Sequence, residues 1–116
     1  MNVTFFSTQQ FEPFIFDQVN QEHRHVINYQ RYHLNDETIE AVPKTEVACC
    51  FVNDKINRFV IDGLKERGVK LIALRSAGYN HVDYAYALKN EISVCRVPAY
   101  SPHAVAEPVI FRIVVA

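Results

Sequence analysis

Glycine is scarce in this chain: only Gly63, Gly68 and Gly78 occur among 116 residues. The G-x-G-x-x-G spacing that lets a backbone loop approach a pyrophosphate therefore occurs nowhere, and neither does the glycine-rich loop of a P-loop nucleotidase. No excess of charge exists either. Twelve basic residues stand against thirteen acidic ones, a formal charge of -1, so no long-range field draws the chain to phosphate backbones or anionic lipid. Neither nucleic acid nor a membrane is an expected partner. Apolar runs stay far short of the roughly 20 residues that cross a bilayer, and the amino terminus lacks a basic region followed by a long apolar one. The expected location is the cytoplasm. Cysteine is also sparse: Cys49 and Cys50 are adjacent, Cys95 stands alone, and no C-x-x-C occurs. These read as reduced thiols packed as small hydrophobes.

What the chain does contain is an ordinary globular balance, 49% apolar and 22% charged residues, at a length suited to one hydrophobic core. Runs rich in β-branched and aromatic residues cover residues 3–7, 25–29, 47–52, 71–75 and 93–97, with starts 22, 22, 24 and 22 residues apart. That interval is too long for hairpins and suits a strand, a helix and two loops. It predicts an α/β fold with an open parallel sheet of about five strands. The run Val47-Ala-Cys-Cys-Phe-Val52, apolar on both faces, suits a central parallel strand.

Helical signals lie between the runs. Ile56, Phe59, Val60, Gly63 and Leu64 form an i, i+3, i+4, i+7, i+8 stripe ending at Gly68, a left-handed cap. A second helix is expected over residues 82–89, with Asn80 as N-cap and Asn90 in the terminating turn. A weaker one in 9–20 should start near Glu12, because Pro13 is tolerated only in a first turn. Ser101-Pro102 is a strong helix start. Pro108, in that helix's second turn, should kink or stop it. Residues 109–116 are apolar except Arg112 and suit an extended strand.

Ligands of open parallel sheets bind at the carboxyl ends of the strands, here the loops 8–12, 30–36, 53–55, 76–81 and 98–101. Ser76-Ala-Gly-Tyr-Asn80 has two readings. Its backbone NH groups can converge on an anion such as a carboxylate, or it is an ordinary strand-to-helix turn using Gly78 for a positive φ. Tyr100, stiffened between Pro98 and Pro102, either faces the same cleft or packs on the surface. Arg75 ends an apolar strand and needs solvent or a partner; a structural ion pair is the expected use. His23 and His25 can share one strand face, yet nothing completes a ligand set and no metal site is expected. His103 reads as solvated. No histidine held by a carboxylate, as proton transfer requires, is legible.

Three strings taken together are more specific: Phe51-Val-Asn-Asp54, then Leu64-Lys-Glu-Arg-Gly-Val-Lys-Leu-Ile-Ala-Leu-Arg-Ser-Ala-Gly-Tyr-Asn-His-Val-Asp83, then Val94-Cys-Arg-Val-Pro-Ala-Tyr-Ser-Pro-His-Ala-Val-Ala-Glu107. With them the chain resembles the D-isomer-specific 2-hydroxyacid dehydrogenases, most nearly the fermentative D-lactate branch. The resemblance implies a flavodoxin-like substrate-binding domain over residues 1–107, a separate Rossmann domain binding NAD, and reduction of a 2-oxo acid such as pyruvate in the cleft between them. It implies that Ala77 and Gly78 hold the substrate carboxylate through backbone NH groups, that Tyr100 lines the pocket and that Val105 lies near the nicotinamide. The match ends at Glu107-Pro108, where the family continues its helix with an E-H-A-like sequence. The family's catalytic Arg, Glu and His lie beyond that point. The chain thus reads as a truncated substrate-binding domain with a divergent apolar tail at 108–116, without tight NAD binding and inactive alone. The alternative is a non-catalytic interaction domain of the same fold, its tail pairing with a sheet edge or a second copy in a homo-oligomer.

Overall fold

In a computed structural model of the protein, which describes residues 1–75 and 81–96, five strands form one sheet: β1 (Asn2–Phe5), β2 (Val26–Tyr29), β3 (Val47–Cys50), β4 (Leu71–Leu74) and β5 (Ser93–Arg96). Every pairing is parallel and the order is β2-β1-β3-β4-β5. The open parallel α/β sheet expected from the spacing is therefore present. Its order is that of flavodoxin-like folds, with the switch point between β1 and β3.

Alternation along the strands divides the core between two faces. Val3, Phe5, Val47, Cys49 and Ala73 point to one side, where Phe16 of α1 (Glu12–His23) packs against them. Ala48, Cys50, Ile72 and Leu74 point to the other, under Val60, Ile61 and Leu64 of α2 (Arg58–Glu66) and Ala87 of α3 (Tyr84–Lys89). All four residues of β3 are buried, as a strand covered on both faces requires. Helices thus cover both faces. None among the described residues is long and apolar enough to cross a membrane.

Several local expectations shift. The connection from β2 to β3 holds only a 3-10 turn, Ile39–Ala41, instead of an α-helix. In α2 the buried stripe is Val60, Ile61 and Leu64, while Phe59 is 56% exposed. The reason is the start: Ile56 is extended and bridges Val82, so the helix begins only after Asn57, whose side-chain oxygen accepts from the Val60 N–H at 2.9 Å. Gly63 is needed there for close approach, since a Cβ would lie 2.4 Å from Ile39 Cγ1. Gly68 takes the predicted left-handed cap, with φ 87°.

The same bridge moves the start of α3 from Val82 to Tyr84, and Asp83 caps it in place of Asn80, accepting from the Tyr86 N–H at 3.2 Å. Asn90 closes the helix with φ -96°, and Glu91 takes the left-handed position at φ 66°. α1 starts at Glu12 as expected, with Pro13 in its first turn. His23 ends α1 and His25 precedes β2, so the two do not share a strand face. The helix start at Ser101, Pro108, the tail 109–116 and the loops 76–80 and 98–101 lie outside the described residues.

Candidate functional site

The carboxyl ends of β1 and β3 flank the switch point and carry a buried polar network. Asp54 is its hub. The carboxylate is 1% exposed, so it needs donors on both oxygens. Its Oδ1 accepts from Ser7 Oγ at 2.6 Å and from the Leu34 N–H at 2.7 Å, and its Oδ2 accepts from the Phe51 N–H at 2.7 Å. Three segments far apart in sequence, the ends of β1 and β3 and the loop after β2, thereby meet on one side chain. Lys55 N–H adds a bond to the Leu34 carbonyl at 2.7 Å. Ser7 adopts φ 52°, uncommon for a side chain with Cβ, and this turns its hydroxyl inward toward both Asp54 and His33, whose Nδ1 lies 2.7 Å from Oγ.

Arg75 anchors the neighbouring strand end. Its guanidinium contacts Glu12 through Nε at 2.6 Å and Nη2 at 3.2 Å, with side-chain exposures of 3% and 7%. It also donates to the carbonyls of Phe6 at 2.7 Å, Ser7 at 3.3 Å and Cys49 at 2.8 Å, and lies over the rings of Phe5 and Phe51. The structural ion pair expected for Arg75 is present. Its planar fork satisfies carbonyls at the ends of β1 and β3 together, a geometry a lysine does not reproduce. Glu12, at the start of α1, also accepts from the Gln9 N–H at 2.7 Å, which ties the loop after β1 to the same cluster.

Cys49 and Cys50 are buried free thiols, pushed toward the protonated form by burial, Cys49 to about 12. They pack as hydrophobes, not as nucleophiles. Among the described residues no group of three His, Cys, Asp or Glu side chains can hold a metal ion.

Residues 76–80, with the sequence-predicted Ala77 and Gly78, lie outside the described residues, as do Tyr100, Val105 and His103. The structure places the flanks of that turn. On one side the Arg75 N–H donates to the Cys50 carbonyl at 2.8 Å; on the other, Ile56 N–H donates to the His81 carbonyl at 2.9 Å and Asp83 N–H to Ile56 at 3.0 Å. Both flanks are thus tied to β3 and the connection that follows it. Beside them a groove of about 720 Å³ is lined by Lys55, Asn57, Arg58, Phe59, His81 and Asp83. Burial lowers the His81 pKa, and its Nε2 has no hydrogen-bond partner among the described residues. Glu12, His33 and Asp54 fall in the strand-end loops 8–12, 30–36 and 53–55 where ligands were expected, but the sequence singled out none of them, and Ser7 was missed altogether. An aspartate at the end of an apolar run was the only available signal, and it does not name the partners.

A dinucleotide pyrophosphate does not fit the glycines that the structure describes. Gly63 is packed inside α2 and Gly68 caps that helix, so neither opens a strand-to-helix phosphate loop.

Residues 4–109 match the family described as D-isomer specific 2-hydroxyacid dehydrogenase, catalytic domain. The "2-hydroxyacid dehydrogenase homolog 1" of Schizosaccharomyces pombe is 48% identical over 107 residues, covering 92% of this chain and 32% of that protein. The D-lactate dehydrogenase of Escherichia coli is 40% identical over the same length and shares. The apo structure of the Escherichia coli D-lactate dehydrogenase superposes with a TM-score of 0.83 at 38% identity, covering 98% of this chain and 36% of that one. The chain spans about a third of the length of these relatives.

Proposed function

Because this chain belongs to the D-isomer specific 2-hydroxyacid dehydrogenase family, we propose that it is the substrate-binding part of an NAD-dependent D-lactate dehydrogenase, taking a small 2-oxo or 2-hydroxy acid such as pyruvate or D-lactate. The observation that carries this reading is the polar cluster of Asp54, Ser7, Arg75 and Glu12 at the β1/β3 switch point of a sheet shared with a D-lactate dehydrogenase. Ligands of such sheets bind there. In this reading the backbone NH groups of Ala77 and Gly78 receive the substrate carboxylate. Tyr100 lines the pocket and Val105 lies against the nicotinamide. NAD supplies the hydride in the family; this chain's residues bind and orient the acid, and with no pyrophosphate loop of its own the chain alone neither holds NAD tightly nor transfers hydride. The free core thiols fit a reducing cytoplasm.

Titration of the isotope-labelled chain with oxamate is expected to give saturable shifts of the Ala77 and Gly78 amides. An unresponsive turn would overturn the assignment. Chain added to NADH and pyruvate should leave the cofactor absorbance flat, and steady turnover would refute inactivity of the chain alone.

A further inference from the structure

The outer side of α2 carries opposite charge at its two ends, with an aromatic ring between them. Burial of Val60, Ile61 and Leu64 turns the other side of the helix to solvent, and along that side, at i, i+3 and i+7, stand Phe59, Asp62 and Glu66. The Phe59 ring, 56% exposed, is the ridge between two grooves. The groove at the amino-terminal end of the helix holds Lys55 and Arg58 against the one carboxylate of Asp83. The other, of about 500 Å³, holds Glu40, Asp62 and Glu66 against the one cation of Arg67.

Arg58 is already paired with Asp83, and Asp62 accepts from the Tyr86 hydroxyl at 2.7 Å. Lys55, Glu40 and Glu66 are exposed and have no ion-pair partner among the described residues. The acidic groove has an apolar floor, made by buried Ile39 and by Gly63, which has no side chain to fill it. Basic end, aromatic ridge and acidic groove together make a surface complementary to itself when one helix is reversed against another.

We infer that this face of α2 binds a second copy of the chain, the two helices packing antiparallel about a two-fold axis. Each Phe59 ring then seats over Ile39 and Gly63 of the other copy, and each Lys55 faces the other copy's Glu66. With the axis between positions 60 and 61, a rise of about 1.5 Å per residue sets the two Phe59 positions about 4.5 Å apart along the helices and the basic end of each beside the acidic end of the other. The antiparallel macrodipoles favour the same arrangement. One helix face per copy buries less than a standard interface, so the dimer is weak and reversible, with Kd on the order of 100 µM. This inference does not rest on the substrate-binding reading above.

The test is sedimentation equilibrium of the full 116-residue chain in low salt, from about 10 µM to about 1 mM, tenfold to either side of that Kd. The mass should rise from one chain toward two, with the amides of α2 and Glu40 shifting in step, and added salt should weaken the association. Phe59→Ser should raise Kd about tenfold or more, the effect of losing an aromatic anchor, while the amides of β1, β3 and β4 keep their positions. Lys55→Glu and Glu66→Lys should each abolish pairing, because each variant sets like charges opposite one another twice. Mixed in equal amounts the two variants should pair, since every contact between them again joins opposite charges. A chain that stays monomeric at the top of the range, or charge variants that do not pair when mixed, would overturn the inference. So would a dimer indifferent to Phe59→Ser, and loss of that dimer on deleting residues 109–116 would give the contact to the tail instead.

Discussion

Arg75–Glu12 and Arg58–Asp83 are the same chemical pair in two regions of the molecule. The first closes at 2.6 Å with side chains 3% and 7% exposed; the second closes at 3.3 Å with side chains 74% and 36% exposed. At the β1/β3 strand ends the guanidinium also satisfies three backbone carbonyls. On the outer layer, Arg58 reaches from α2 to the Asp83 cap and lies over the Tyr86 ring. Residue type is thus a poor guide to what an ion pair does. Desolvation makes the buried arginine dependent on its carboxylate, whereas water compensates the exposed one.

The sharpest break is Arg75→Met, which leaves Glu12 buried without its cation and should cost about 3–5 kcal/mol in urea unfolding. The double variant Arg75→Met/Glu12→Leu should regain only part of that, because the carbonyls of Phe6, Ser7 and Cys49 lose their donor as well. A single variant as stable as the parent would put the buried pair on the same footing as the surface one. Next comes the apolar layer beneath α2: Leu64→Ala, at a fully buried position, should cost about 2–5 kcal/mol from lost transfer energy and cavity.

Alkaline pH acts through the core thiols. Burial raises Cys49 from its ordinary value near 9 to about 12, and Cys50 in the same direction. Between these values the unfolded chain has lost thiol protons that the folded chain keeps, so stability is intact below pH 9 and falls as pH rises, by up to about 1.4 kcal/mol per unit for each thiol. Unfolding midpoints across a pH series should show the decline, and Cys49→Ala should make it shallower. Removing the α2 cap with Asn57→Ala should cost about 1 kcal/mol in thermal or urea unfolding. Arg58→Ala should change stability by about 0.5 kcal/mol or less, an effect that salt erases. A larger loss would remove the contrast between the two pairs.

Much of the scaffold was legible because its signals are local. Spacing of apolar runs located all five strands to within one or two residues, and Gly68 marked the end of α2. The starts of α2 and α3 were misread for one shared reason. The Ile56–Val82 bridge keeps both residues extended, and neither carries a trace of a partner 26 positions away. At the site, Arg75 was expected to find an ion pair, but its partner was not foreseeable. Ser7 gave no signal at all: its left-handed backbone is imposed by surroundings, since serine has no preference for that conformation.

Periodicity, turn residues and the string from Leu71 to Glu107 are properties of neighbouring positions, and they suffice to reveal a parallel α/β sheet of the 2-hydroxyacid dehydrogenase family. Strand order, the burial of Arg75 and the meeting of Asp54, Ser7 and His33 are different in kind. They join residues 63 positions apart for Glu12 and Arg75 and 47 for Ser7 and Asp54. Their energetics come from removing charge and hydroxyl from water, a condition that exists only once the chain has folded.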